Sequence, residues 1–129
     1  MRFVDLFCGI GGFHAALHRL GHECVFATDI DKFAAETYEL NWGKPGGFDV
    51  NCDIRKVLDD IPVMDIICAG FPCQPFSKAG SQKGLDDEKN GSLFDKIVEI
   101  LKFHEPDYLI LENVRNLENH NKSKTWEYI

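Results

Sequence analysis

Phe3-Val4-Asp5-Leu6-Phe7-Cys8-Gly9-Ile10-Gly11-Gly12 opens the chain as a short strand that runs into a glycine-rich turn. Phe13, Ala16, Leu17 and Leu20 follow at i, i+3, i+4 and i+7, so a helix begins near Gly12 and packs one stripe on a sheet. Gly21 ends it as a C′ residue. Strand, glycine turn and helix N-terminus together let a ligand approach backbone closely, because glycine has no Cβ and the first helical amides are free. The pattern suits a nucleotide-like cofactor better than a dinucleotide. Gly9-x-Gly11 is present, but the third glycine of G-x-G-x-x-G falls on His14.

Glu23 to Ala27 reads as the second strand and ends at Thr28-Asp29-Ile30-Asp31. Asp29, 20 residues after Gly9, stands near the spacing at which an acidic side chain meets ribose hydroxyls, and equally at a helix-capping position. Asp31 is better placed to cap the helix carrying Phe33, Ala34, Thr37 and Tyr38, which leaves Asp29 for a ligand. Asn41 to Gly47 reads as a loop and Asp49 to Cys52 as a weak, peripheral strand. Asp53 can cap a short helix from Ile54 to Asp60 that Pro62 terminates.

Met64 to Ala69 is a buried strand that stops at Gly70, and Gly70-Phe71-Pro72-Cys73-Gln74-Pro75-Phe76-Ser77 follows. Pro72 and Pro75 deny that segment a regular helix, so Cys73 is held on a stiffened loop past a strand end. Cys8, Cys24, Cys52 and Cys68 read as small buried hydrophobes, and Cys73 fits that role less well than a nucleophile's. Lys78 to Asn90 is polar with Gly80 and Gly84, either an exposed loop or a lid over substrate. Ser92 to Asp95 resembles a capping box, opening a helix lined by Leu93, Phe94, Ile97, Val98 and Leu101 that Glu105-Pro106 ends. Tyr108 to Leu111 is the next buried strand, with Glu112-Asn113-Val114 at its carboxyl end. Five strands alternating with helices predict a parallel α/β sheet with right-handed crossovers. The crevice of such a sheet lies beyond the carboxyl ends of its strands, where the glycine turn, Asp29, Cys73 and Glu112 all fall.

With 129 residues, 44% of them hydrophobic, the chain is one domain's worth with enough apolar surface for a core. No apolar run nears a bilayer span, and a charge sits inside Met1-Arg2-Phe3-Val4-Asp5, so a cytoplasmic protein is expected. Five cysteines without a Cys-x-x-Cys pair argue against a disulfide framework or a structural zinc. The net charge of −7 is not that of a self-sufficient nucleic-acid binder, so any basic surface must be local or lie elsewhere. His14, His18 and His22 at i, i+4, i+8 read as packing or solvated histidines rather than a metal face. No motif around His104 or His120 supports a Cys-His hydrolase.

Over its full length the sequence resembles the N-terminal portion of the cytosine-C5 DNA methyltransferases. Asp5 to Gly12 is similar to that family's cofactor motif, Gly70 to Ser77 to its Pro-Cys catalytic motif, and Glu112-Asn113-Val114 to its Glu-Asn-Val motif. The resemblance implies a Rossmann-like methyltransferase fold with helices on both faces of a parallel sheet, incomplete at the C-terminus, with residues 1–129 as the N-terminal part of the catalytic domain. It implies S-adenosylmethionine across Gly9, Gly11 and Gly12, Asp29 on the ribose, Ile30 and Ile54 flanking the adenine and Asp53 at its exocyclic amine. By the same resemblance, Phe7 and Leu93 would border the cofactor as well. Cys73, after Pro72, would add as thiolate to cytosine C6 so that C5 can take the methyl group, and Glu112, beside Asn113, would donate toward N3. The resemblance further implies that the target base would be flipped into the pocket.

The family's later Gln-x-Arg-x-Arg motif, recognition region and closing helix have no counterpart before Ile129. The expectation is therefore a fragment or one subunit of a split enzyme, prokaryotic or phage-encoded. Its partners would be DNA as substrate and a second polypeptide or C-terminal half, with no membrane and no metal, within a restriction–modification system. Two alternatives stay open: a tRNA cytosine-C5 methyltransferase, and a non-catalytic cofactor-binding or interaction remnant.

Overall fold

The computed structural model describes residues 1–72, 93–115 and 127. Cys73, the Lys78–Asn90 segment and the Ser92 cap lie outside the described residues. Four parallel strands form one sheet: β1 (Arg2–Leu6), β2 (Glu23–Thr28), β3 (Ile66–Ala69) and β4 (Tyr108–Leu111), in the spatial order β2-β1-β3-β4. The helices are α1 (Gly12–Arg19), α2 (Lys32–Trp42) and α3 (Leu93–His104). β1 pairs with β3 in the register Phe3↔Ile66 to Leu6↔Ala69, and β3 with β4 from Ile66↔Tyr108 to Ala69↔Leu111.

Strand alternation sends side chains to two faces, and helices cover both. Phe3, Ile66 and Cys68 pack with Leu17 of α1, while Ala27 packs with Ala35 and Tyr38 of α2. Val4, Leu6, Ile67 and Ala69 face the other way, onto Phe94, Ile97 and Ile100 of α3 and onto Ile54 and Val57. The chain runs outward from β1 to β2 and returns past β1 to β3. The strand order therefore reverses between β1 and β3, and the crevice of an open α/β sheet forms at that point.

Local signals hold where a side chain meets a free backbone group. Asp31 caps α2, accepting from Phe33 N at 2.8 Å and Ala34 N at 3.0 Å, and Gly21 has φ 82° with its amide on the His18 carbonyl. Four expectations need correction. Asp49–Cys52 forms a single bridge, Asp29 to Asn51, rather than a fifth strand, because the Val50 amide is taken by the Glu39 carboxylate and Asn51 Nδ2 donates to the Asp29 and Ile30 carbonyls. The helix expected over Ile54–Asp60 is one 3₁₀ turn, Ile54–Lys56, capped by Asp53. The buried face of α1 includes His14 in place of Ala16 and Leu20, since the imidazole bonds Tyr38 and stacks on Trp42. β4, read as buried, is an edge strand with Tyr108, Leu109 and Ile110 exposed at 57%, 40% and 38%.

Candidate active site

β1 ends at Leu6, and Phe7 turns the chain with φ 57°, a left-handed conformation that costs a non-glycine residue roughly 1 kcal/mol. Such strain collects where the surrounding fold fixes a backbone for a purpose. The turn that follows is held from several sides. Cys8 N donates to the Thr28 carbonyl at 3.1 Å, Gly9 N to Asp29 Oδ2 at 2.8 Å and Gly11 N to the Cys8 carbonyl at 2.9 Å. From below, the fully buried Asp5 accepts from the His14 amide in the first turn of α1 at 3.3 Å. Gly12 N and Phe13 N have no partner among the described residues, as at an uncapped helix N-terminus. A Cβ on Gly9 or Gly12 would meet nothing within 4 Å, so the turn is open to an incoming ligand there.

Asp29 directly follows β2 and uses both oxygens on backbone: Oδ2 on Gly9 N, and Oδ1 on Asp31 N at 2.9 Å. Neither bond caps a helix, since the cap of α2 is Asp31, and a carboxylate with about four lone-pair sites keeps acceptor capacity after both. Ile30, next in line, is 68% exposed and offers an apolar surface at the strand end. Ile54 is buried in the core, and Asp53 beside it in sequence is tied to Arg55 by three side-chain bonds of 2.9, 3.0 and 2.6 Å. That guanidinium holds the Asp53 carboxyl below its usual range. Leu93, half-buried at the start of α3, packs against the same core as Phe7.

Gly70 is the meeting point of the second half of the site. A Cβ there would lie 3.4 Å from Glu112 Oε2, 3.9 Å from the Phe7 carbonyl and 4.0 Å from the Phe13 ring. Glu112 is set by the ladder, its amide on the Ala69 carbonyl at 3.0 Å, and its carboxylate turns toward the start of the proline–cysteine loop. Asn113 Nδ2 donates to the Phe71 carbonyl at 2.7 Å, which fastens the strand ends of β3 and β4 to each other directly beside exposed Pro72. The structure thus brings Phe7, Gly9, Gly11, Gly12 and Asp29 together, and Glu112, Asn113 and Pro72 together, with Gly70 joining the groups. Cys73 is outside the described residues. Among the thiols described, burial pushes Cys24 up to about 11 and Cys68 up to about 12, with Cys8 and Cys52 also raised, so none is poised as a nucleophile.

Sequence reasoning missed Asp5, Trp42 and the strain at Phe7. A charged residue inside an apolar strand was the available signal for Asp5. Nothing in a sequence marks a phenylalanine for a left-handed turn.

Comparison with known proteins gives a consistent picture. The family model described as C-5 cytosine-specific DNA methylase matches residues 1–129. The chain is 46% identical over 131 residues to the Type II methyltransferase M.HhaI of Haemophilus parahaemolyticus, covering all of this chain and 38% of that protein. It is 48% identical to the Type II methyltransferase M.AluI of Cellulosimicrobium cellulans, covering 96% of this chain and 24% of that one. Among solved structures it is similar to the Dnmt2 methyltransferase of S. pombe, with TM-score 0.76, 28% identity and coverage of 99% of this chain and 40% of that chain. The Spodoptera frugiperda DNMT2 mutant structure gives TM-score 0.71 at 30% identity, with 98% and 39% covered. The chain therefore spans well under half the length of the proteins it matches.

Proposed function

This chain belongs to the C-5 cytosine-specific DNA methylase family, and from that membership we propose that it is the cofactor-binding and nucleophile-bearing part of a DNA cytosine-C5 methyltransferase of the Type II kind. The observation that carries the reading is the convergence at Gly70 of the Glu112 carboxylate, the strained Phe7 turn and the first residues of the proline–cysteine loop. The alternatives, a tRNA enzyme and a binding remnant, are less favoured. Relatives named Type II methyltransferases match at 46% and 48% identity, against 28% and 30% for the Dnmt2 structures.

The residues fit S-adenosylmethionine. Open positions at Gly9 and Gly12 and the free amides of α1 would take its amino-acid part, Asp29 retains acceptor capacity for ribose hydroxyls, and Ile30 supplies an apolar wall for a base. Ile54, Asp53, Phe7 and Leu93 would bound the same pocket. When bound, the cofactor supplies an electrophilic methyl group on a sulfonium.

The chain's own residues do the rest. Cys73 Sγ, as thiolate, adds to C6 of a flipped-out cytosine, which gives C5 enamine character; after transfer the C5 proton leaves and the C6–S bond breaks, returning the thiolate. Glu112, as its acid, donates to N3 as negative charge builds on the ring and holds the exocyclic amine. Pro72 sets the backbone before the nucleophile. Asn113 keeps the Glu112 and Cys73 strand ends at a fixed separation through its bond to the Phe71 carbonyl.

We assign residues 1–129 to the N-terminal part of a catalytic domain whose relatives carry further polypeptide. The exposed apolar edge of β4 is the surface on which that polypeptide, in the same chain or a second one, would continue the sheet. The test is trapping on duplex DNA carrying 5-fluorocytosine, with S-adenosylmethionine and that polypeptide supplied. A stable protein–DNA adduct is expected, lost in Cys73→Ser. An adduct that forms equally well in the serine variant, or none with the complete system, overturns the assignment.

A further inference from the structure

We propose that Trp42 is a positioning residue for the glycine turn: its indole, on the last residue of α2, fixes the shape that Cys8–Gly12 presents to the cofactor. The inference rests on the reading that S-adenosylmethionine binds at this turn. Three contacts carry it. Trp42 Nε1 donates to the Ile10 carbonyl, the middle of the turn, at 3.4 Å. A Cβ built on Gly11 would land on the same Nε1, with Trp42 Cδ1 at 2.8 Å and Tyr38 Cδ2 at 3.2 Å, so the indole occupies all the room a side chain would need. The ring also stacks on His14, with centroids 4.4 Å apart and planes 19° from parallel.

His14 is itself pinned within α1. Its amide reaches Asp5 Oδ2 and its Nδ1 lies 2.6 Å from Tyr38 Oη, so indole, imidazole and phenol form one layer between the two helices. Gly11 has φ 95° and Gly9 has φ 54°, and two left-handed positions with only Ile10 between them leave a turn with many alternative shapes unless something packs on it. The indole removes that freedom at Ile10 and Gly11, while Gly9 and Gly12 stay open for a ligand. Restricting a binding loop in its bound shape raises affinity by lowering the ordering cost. Because Trp42 acts on backbone and not on the sulfonium, the effect should be equal for the cationic cofactor and its neutral product.

The test measures S-adenosylmethionine and S-adenosylhomocysteine binding by calorimetry, with hydrogen exchange at the Gly9–Gly12 amides, for the protein and for Trp42→Phe, which keeps the stack and removes the N–H. Trp42→Leu is the second variant, which removes the stack too. Expected for Trp42→Phe are a several-fold weaker Kd, the same factor for both ligands, faster exchange confined to the turn, and a Tm within a few degrees of the parent's. Trp42→Leu should weaken both ligands further. If both variants bind like the parent with unchanged exchange, Trp42 is not a positioning residue and the cofactor reading stands. If affinity falls only in step with Tm, the role is general packing and the proposal fails. If the parent protein binds neither ligand, the proposal and the cofactor reading fall together.

Discussion

Asp5 is a carboxylic acid enclosed beneath the glycine turn, with Oδ2 on the His14 amide and Oδ1 lacking a partner among the described residues. Burial, with Asp29 nearby, raises its pKa from 3.8 to about 8. Between those values the unfolded chain has released a proton that the folded chain keeps, so stability falls as pH rises through that window. His14 works oppositely: burial lowers its pKa, so below about 6.5 the unfolded chain takes up a proton that the folded one refuses. Stability of the parent against thermal unfolding should therefore fall from pH 6.5 to 8 by up to about 2 kcal/mol at 1.36 kcal/mol per unit, and Asp5→Asn should flatten that slope. An equal slope in the variant would clear Asp5 of the effect. In the complete enzyme, Cys73→Ser should abolish methyl transfer with cofactor affinity within a few-fold, while Glu112→Gln slows it strongly but less completely, since an amide hydrogen-bonds but delivers no proton. Single-turnover transfer of a labelled methyl group separates the two. That Asp29 follows β2 and that Glu112 and Asn113 follow β4 was legible, because apolar runs mark where those strands end. The setting of Asp5 was not, because its environment is made by the flanking strands β2 and β3 and by His14 of α1, which the local sequence does not reveal.

At the scale of elements, α2 was legible from its capping side chain, whereas the extent of the Asp53-capped turn and the strand expected over Asp49–Cys52, which depend on their neighbours, were not. Asp31 caps α2 through two amides, so Asp31→Ala should cost about 1 kcal/mol in urea unfolding. Val50 and Asn51 lost strand character to side-chain bonds from Glu39 and from Asn51 itself, a competition that strand propensity does not contain. Tyr108-Leu109-Ile110-Leu111 has the apolar run of a central strand yet stands at an edge. Leu109→Lys should accordingly leave the urea midpoint of this chain almost unchanged while blocking reconstitution with the polypeptide proposed above to extend the sheet. Reconstitution at the parent level would show that the edge is not used.

For the molecule as a whole, fold class and crevice position were legible because alternating apolar runs at helix and strand spacing leave few topologies. With a net charge of −7, this chain should show no measurable DNA affinity at physiological salt. Methylation should appear only when the polypeptide matching the rest of the relatives' length is added, as filter binding and labelled-methyl transfer would show. Site-specific methylation by the 129 residues unaided would overturn this. The strand order has a further consequence during synthesis. β1 lies between β2 and β3, and Phe3 must wait for Ile66. From Thr28, where β2 ends, to Ile66 a ribosome adding about 5–20 residues per second needs roughly 2–8 s. Throughout that interval a nascent β1–β2 pair leaves the far edge of β1 bare, a template for any other nascent chain. β3 then covers β1 and becomes the bare edge until β4 arrives. Growth of this sheet passes one vulnerable edge along from strand to strand, so translation speed across residues 29–65 should set the yield of soluble protein.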